Sequence, residues 1–155
     1  MKNIKKKIVF TGGTGRFAQI FKSTKINYYR FYPKKKELNI LNKSSIIKYI
    51  KKKKPDYFIH AAGLSRPMSV HDKDINKSIM LNIVGTSNVV VACKKYSLKL
   101  IYFSTNYVYP GKKGNYKEDD GVNPINNYAL SKLGGESAVR MYKNSLILRI
   151  CMTEK

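Results

Sequence analysis

Short apolar runs alternate along the chain with segments whose apolar residues recur at helical spacing. Residues 5–10, 55–63, 99–105 and 145–150 are four such runs, short and rich in β-branched and aromatic residues, as buried strands are. Residues 44–53 are typical of the amphipathic helices between them. Strands that alternate with helices, without hairpin signals, predict an α/β domain built on a parallel sheet.

Weaker patterns complete the predicted sheet. Residues 26–32 and residues 37–40 supply two further strands, and a long helix runs from Asp72 or Asp74 to about residue 96. We therefore expect a Rossmann-like, doubly wound parallel sheet of about six strands in the order 3-2-1-4-5-6. All 155 residues would form one domain.

The chain is strongly basic, since 31 Lys and Arg against 9 Asp and Glu give a net charge of +22. Such a charge can bind phosphates. Most of this charge comes from lysine, in a chain that is also rich in Asn, Ile and Tyr. AT-rich codons specify these four residues, so we attribute the charge to codon composition and expect no specific nucleic-acid site.

No apolar run is long enough for a membrane span or a signal peptide, and we expect a cytoplasmic protein without membrane attachment. Cys93 and Cys151 are isolated, so we expect neither a metal site nor a disulfide.

A glycine-rich turn, Thr-Gly-Gly-Thr-Gly-Arg-Phe-Ala, directly follows the first strand. Gly12 and Gly15 allow the backbone to approach a pyrophosphate, and the helix that begins near Arg16 directs its N–H groups towards that anion. No acid follows the second strand, whereas Arg30 and residues 34–36 could meet a 2′-phosphate. We expect NADP as the cofactor, with NAD possible.

Two later strands end in residues that suit a ligand site. Ala61, Ala62 and Gly63 are small, as contact with a flat cofactor requires, and Ser104 and Thr105 place two hydroxyls at the end of another strand. On the long helix, the polar Asn82 interrupts the apolar face, and we expect it to bind backbone or water. His60 and His71 have no partner at useful spacing and are interpreted as structural.

The candidate catalytic pair is Tyr128 and Lys132. Their i,i+4 spacing on a helix brings an ammonium near a phenol, which predicts a lowered pKa for Tyr128. Two unit charges about 4 Å apart at an effective dielectric of about 20 interact by roughly 4 kcal/mol, enough to lower a phenol pKa by about 3.

These motifs occur in the order that resembles the extended short-chain dehydrogenase/reductases, over essentially the whole chain. Residues 103–111 (Phe-Ser-Thr-Asn-Tyr-Val-Tyr-Pro-Gly) and residues 123–136, which contain the Tyr-Lys pair, most resemble the dTDP-4-dehydrorhamnose reductases. The resemblance implies an NADP-preferring oxidoreductase that reduces a keto-sugar nucleotide.

In that resemblance, Tyr128 would protonate the carbonyl oxygen, Thr105 or less favourably Ser104 would hydrogen-bond it, and Lys132 would hold the nicotinamide ribose. The cofactor residues would be Gly12, Gly15, Arg16, Phe17, Arg30, Asn39, Ile40, Ala61, Ala62, Gly63, Phe103, Tyr128 and Lys132.

Members of this family continue past the sixth strand into a region that supplies most contacts to the sugar nucleotide. The resemblance therefore implies a chain truncated before its substrate-binding region, with a homodimer or partner chain as a possible source of it. Two alternatives stay open: a non-catalytic, nucleotide-binding regulatory subunit, and a nucleotide-sugar epimerase or dehydratase that uses the same Tyr and Lys.

Overall fold

A computed structural model describes residues 5–151, which contain a five-stranded sheet. The strands are β1 (Lys7–Thr11), β2 (Tyr29–Phe31), β3 (Tyr57–His60), β4 (Lys99–Thr105) and β5 (Ser145–Ile150). Their spatial order is β2-β1-β3-β4-β5, and every neighbouring pair is parallel. The prediction of a Rossmann-like α/β fold is confirmed.

Helices connect the parallel strands, as crossovers between such strands require. They are α1 (Arg16–Ser23), α2 (Lys43–Lys53), α3 (Val70–Lys73), α4 (Ile75–Ile79), α5 (Gly85–Lys95) and α6 (Asn127–Arg140), with a π-helical segment (Met80–Val84) between α4 and α5 and a 3₁₀ turn (Asn106–Val108) after β4.

The predicted third strand, residues 37–40, does not form. The amides of Glu37 and Leu38 both donate to the carbonyl oxygen of Lys34, and the Asn39 side chain accepts a hydrogen bond from the amide two residues later. Because these local turns engage backbone groups that a strand would offer to β2, β2 becomes the edge of the sheet. The predicted order 3-2-1-4-5-6 without its third strand is the order observed.

The predicted long helix is divided rather than continuous. α3 ends at Lys73, and Asp74 caps α4 by accepting a hydrogen bond from the Lys77 amide at 2.8 Å. The π-helical segment then interrupts the α-helical pattern before α5 begins. Such segments are often found at functional sites, and here the segment contains the buried Asn82.

Two apolar clusters, one on each face of the sheet, hold the layers together. Alternate strand residues point to opposite faces. Val9, Phe58 and Leu100 belong to the cluster that includes residues of α2, α5 and α6, whereas Phe10 and Ile59 belong to the cluster that includes Ala18 of α1. The sheet is thus covered on both sides, which makes the fold doubly wound. Among residues 5–151, no helix is both long and apolar enough to cross a membrane.

Candidate active site

A tight turn joins β1 to α1 at the carboxyl edge of the sheet. Gly12 has a backbone φ of 77°, in the left-handed region that favours glycine. A Cβ atom on Gly12 would lie 2.8 Å from the carbonyl carbon of Ala61, just after β3. The Gly15 amide donates to the Gly12 carbonyl oxygen at 2.9 Å and closes the turn. Position 12 therefore requires glycine. Glycine at such a turn also allows the backbone to approach a pyrophosphate closely.

An open cavity of about 580 Å³ lies in front of this turn. The start of α1 is part of its wall, so an anion in the cavity would lie near a helix N-terminus. The predicted site residues that line the cavity are Gly12, Gly15, Arg16, Phe17, Ala61, Gly63, Phe103, Ser104, Thr105, Tyr128 and Lys132. The structure thus brings the glycine turn and the Tyr-Lys pair to one cavity.

Four predicted cofactor residues lie outside this lining: Arg30, Asn39, Ile40 and Ala62. Nη1 of Arg30 donates to the carbonyl oxygens of Phe21 at 2.5 Å and Thr24 at 3.1 Å, at the end of α1. Asn39 accepts a hydrogen bond in its own turn, and Ile40 is only 7% exposed. Their contacts with a cofactor stay predictions.

Tyr128 enters the cavity from the first turn of α6. Asn126 caps this helix, because its side chain accepts a hydrogen bond from the Ala129 amide at 2.8 Å. The Thr105 hydroxyl lies near the Tyr128 phenol and favours its phenolate, as a nearby hydrogen-bond donor does. Thr105 Oγ1 also accepts the Tyr107 amide at 3.3 Å. The end of β4 and the start of α6 therefore meet at these two hydroxyls.

The two adjacent hydroxyls of β4 differ in their contacts. Ser104 Oγ is buried and has no hydrogen-bond partner among the residues that the structure describes, whereas Thr105 is near enough to Tyr128 to affect the pKa of its phenol. Thr105 is therefore the better placed of the two to act together with Tyr128.

The Tyr128 ring packs against two other aromatic side chains. The His71 ring centroid lies 5.1 Å away, and the Tyr107 ring stands edge-on at 6.4 Å. His71 is 1% exposed, and its Nδ1 is 2.7 Å from the Ser78 hydroxyl. The sequence indicated a structural role for His71, and the structure adds that it contacts the candidate catalytic tyrosine.

The prediction that the pKa of Tyr128 is lowered is wrong in sign, because the pKa is raised. Burial of the phenol disfavours the phenolate, and this effect exceeds the opposing effects of the Thr105 hydrogen bond and the positive charge of Arg66. A phenol with a raised pKa stays protonated at neutral pH. It can therefore serve as a proton donor.

The ammonium group of Lys132 faces the aromatic ring of Tyr102 in β4. The side chain is buried, and Nζ lies 4.1 Å from the centroid of the Tyr102 ring in β4. Burial lowers the pKa of Lys132 to about 7, against a partial opposing effect of the Glu136 carboxylate on the same helix. Lys132 therefore changes its charge near neutral pH.

Asn82 connects the cavity wall to α6. Its Oδ1 accepts the Leu64 amide at 2.7 Å, and its Nδ2 donates to the Leu64 carbonyl oxygen and the Ser131 hydroxyl, each at 2.8 Å. A Cβ atom on Gly63 would lie 2.6 Å from Asn82 Oδ1, so glycine permits this contact. The expectation that Asn82 binds backbone is confirmed.

A buried ion pair anchors the far side of α6. Glu136 is fully buried, and its carboxylate accepts hydrogen bonds from Arg149 Nη2 at 2.9 Å and Nε at 3.2 Å. Nη1 of Arg149 also donates to the Tyr109 hydroxyl at 2.7 Å. Helix α6, strand β5 and the segment after β4 are thereby joined behind the cavity.

Sequence reasoning missed several parts of the cavity wall. Residues 64–68, 106–107 and 150–151 also line it. They lie at or shortly after the carboxyl ends of β3, β4 and β5, where open α/β sheets place their ligand sites. Position relative to the strand ends was the signal that could have found them.

The parallel sheet, the glycine turn and the Tyr-Lys pair at its carboxyl edge define a Rossmann-like α/β domain with a candidate active site. The sequence matches the RmlD substrate binding domain family over residues 6–153, and the chain belongs to that family.

Two curated relatives carry different names. The methionine adenosyltransferase 2 subunit beta of Xenopus tropicalis is 33% identical over 143 residues, which are 86% of this chain and 42% of the relative. A dTDP-4-dehydrorhamnose reductase of Aggregatibacter actinomycetemcomitans is 30% identical over 119 residues, 76% of this chain and 40% of the relative.

A solved structure shows the same fold. The dTDP-4-dehydrorhamnose reductase of Bacillus anthracis, crystallised with NADP, superposes with a TM-score of 0.88 at 27% identity, covering 96% of this chain and 54% of that one. The chain thus spans about half the length of its relatives.

Replacing Lys132 with methionine should stabilise the fold, most strongly at acidic pH. The folded pKa of about 7 lies below the value of about 10.4 for an unfolded lysine, so the burial cost is fully present below pH 7. As pH rises from about 7 to 10, the buried amine loses its proton first and this cost declines. We expect Lys132→Met to raise the free energy of unfolding by roughly 2 kcal/mol at pH 6 and by less at pH 9.

Urea denaturation at both pH values measures this difference. Lys48→Met, at an exposed position of α2, is the matched control and should show no such pH dependence. A Lys132→Met increment that grows between pH 6 and pH 9 would contradict the burial of a charged amine.

Proposed function

We propose that this chain is the cofactor-binding and catalytic domain of an NADP-preferring reductase that acts on a keto-sugar nucleotide. The observation that carries the proposal is that Tyr128, Thr105 and the buried Lys132 line the same cavity as the Gly12 turn. The similarity to dTDP-4-dehydrorhamnose reductases supports the substrate class.

The cavity suits a dinucleotide cofactor, with the Gly12 turn for its pyrophosphate and Tyr128, Lys132 and Thr105 for its nicotinamide. The turn at Gly12 is a cradle that a single Cβ atom would fill, and the adjacent start of α1 suits a pyrophosphate. The Bacillus anthracis relative holds NADP, which supports NADP here, with NAD as the alternative. Tyr128, Lys132 and Thr105 would then meet the nicotinamide and its ribose.

The chemistry divides between the cofactor and the chain. When bound, a reduced nicotinamide supplies a hydride to the carbonyl carbon of the substrate. Tyr128, kept protonated by burial, would donate its proton to the carbonyl oxygen, and Thr105 would orient the phenol. Lys132, cationic below about pH 7, would hold the nicotinamide ribose and favour the phenolate that remains.

The relatives are about twice as long as this chain. We propose that further polypeptide, in the same protein or in a partner subunit, completes the sugar-nucleotide site. Contacts with the substrate there position the reacting carbon, and catalysis depends steeply on that position.

Titration of the purified protein with NADPH tests the cofactor site. We expect saturable binding that Gly12→Ala weakens at least about tenfold, because the new Cβ would overlap the Ala61 backbone at an unfavourable φ. Gly114→Ala is the matched control, since a Cβ there meets open space and should leave the affinity unchanged. Absence of saturable binding at low-millimolar NADPH would count decisively against a dinucleotide site.

The Tyr128→Phe variant tests the proton donor. It should bind NADPH with nearly unchanged affinity and lose about 10²-fold or more of any reduction of dTDP-4-dehydrorhamnose, because only the hydroxyl is removed. Tyr29→Phe, at a half-exposed position of β2 remote from the cavity lining, should keep both properties. Reduction that survives in Tyr128→Phe would show that another group protonates the oxygen.

A second candidate function is a non-catalytic regulatory subunit. The similarity to proteins named as the beta subunit of methionine adenosyltransferase 2 favours it, since that name describes a subunit of another enzyme. The same cavity could then bind a dinucleotide without turnover.

Mixing the chain with a methionine adenosyltransferase catalytic subunit separates the two functions. If the chain is a regulatory subunit, we expect a stable complex in size-exclusion chromatography and altered kinetics of the methionine adenosyltransferase. Neither result should be affected by Tyr128→Phe. Turnover of a keto-sugar nucleotide by the chain, without any complex, would remove this alternative.

A further inference from the structure

The ammonium of Lys132 needs a compensating group inside the protein, because burial removes most of its water. Glu136 is the acid nearest in sequence on the same helix, yet Arg149 engages both of its carboxylate oxygens, at 3.2 Å and 2.9 Å. The aromatic face of Tyr102, 4.1 Å from Nζ at its centroid, is the group that the ammonium directly contacts.

The other titratable groups around this ammonium carry no negative charge at neutral pH. On β3, His60 is fully buried between the hydroxyls of Thr11 and Thr86, and burial lowers its pKa to about 3, so it stays neutral. Burial also raises the pKa values of Tyr102 and Tyr128, so both phenols stay protonated. Besides the Glu136 carboxylate, whose charge also favours the ammonium, the Tyr102 ring is therefore the partner that the surroundings offer.

The Tyr102 ring is itself held rigidly. It is fully buried in β4, and its hydroxyl donates to the Lys132 carbonyl oxygen at 3.4 Å. The Thr86 hydroxyl of α5 lies near this phenol and lowers its pKa against the larger, opposing effect of burial. A Cβ atom on Gly135 would lie 2.5 Å from the Tyr102 hydroxyl oxygen, so glycine permits the approach of α6. The ring thus presents its face at a fixed place below α6.

A fixed ring face can hold a cation in a defined position. The negative face of the ring attracts an ammonium, and the attraction is strongest where water is excluded. The ammonium protons that point away from the ring stay available for other acceptors. A lysine placed in this way is restrained and still able to donate hydrogen bonds into the cavity.

We propose that Tyr102 is a positioning residue for Lys132, holding its ammonium by a cation–π contact at the cavity wall, from which it can bind a ribose of the cofactor. This inference rests on the proposed function for the role of Lys132, and the contact itself stands on the geometry. It assigns a function to a strand residue that belongs to the core and does not line the cavity.

A fluorinated series at position 102 tests the contact by changing the charge distribution of the ring, with only small changes in its size. Tyr102→Phe is the reference, and 4-fluoro-, 3,5-difluoro- and pentafluorophenylalanine then weaken the negative ring face stepwise. Lys132 is titrated by NMR of ¹⁵N-labelled lysine side chains, with its signal assigned by its loss in Lys132→Arg. We expect the proton-binding constant of the Lys132 amine to fall stepwise, by about tenfold at pentafluorophenylalanine.

The same series at Phe58 is the matched control, because this ring is fully buried in the neighbouring strand and packs in the apolar core. A Lys132 titration that stays constant across the position 102 series, or shifts equally in the Phe58 series, would overturn the proposal. Should the pentafluoro variant fail to fold, the mono- and difluoro variants provide the same comparison.

NADPH titration of the same variants separates this inference from the proposed function. If both hold, the NADPH affinity declines in step with the proton affinity of Lys132. If the unmodified protein binds no NADPH, the proposed function fails, whereas the NMR titration still decides whether Tyr102 holds Lys132.

Discussion

The candidate site depends on the close packing of α6 against β4. Gly135 makes this packing possible, because a Cβ atom there would lie 2.5 Å from the Tyr102 hydroxyl and 2.7 Å from the Asn82 carbonyl oxygen. The approach brings the first two turns of α6 to the carboxyl edge of the sheet, where Tyr128 meets Thr105 and Lys132 meets Tyr102. A displaced helix would separate both pairs.

Burial gives the two candidate catalytic groups their electrostatic character. It raises the pKa of Tyr128 and lowers that of Lys132 to about 7, so each is driven towards its neutral form. The phenol then keeps the proton that a reduction needs, and the lysine becomes sensitive to its immediate contacts. The Lys132 ammonium faces the aromatic ring of Tyr102, so a simple charge interaction between Lys132 and Tyr128 does not describe this arrangement.

The sequence predicted the features that local patterns determine. Strands β4 and β5 begin and end where their apolar runs do, and the turn at Gly12 follows from its glycines. Features that depend on tertiary contacts were missed. Residues 37–40 have apolar residues suited to a strand but form local turns. The raised pKa of Tyr128 follows from burial, which i,i+4 spacing does not reveal, and Arg30 is engaged by the end of α1.

The fold alone does not decide between a reductase and a regulatory subunit, since relatives with both names match this chain in sequence. One cavity joins the Gly12 turn to Tyr128 and Lys132. A crystal structure of the protein with NADPH would show whether this cavity is the cofactor site. We expect the pyrophosphate against the Gly12 turn, the nicotinamide beside Tyr128, and its ribose within hydrogen-bonding reach of Lys132. A nicotinamide bound away from Tyr128, or a Lys132 that turns away from the ribose, would rule out the proposed site.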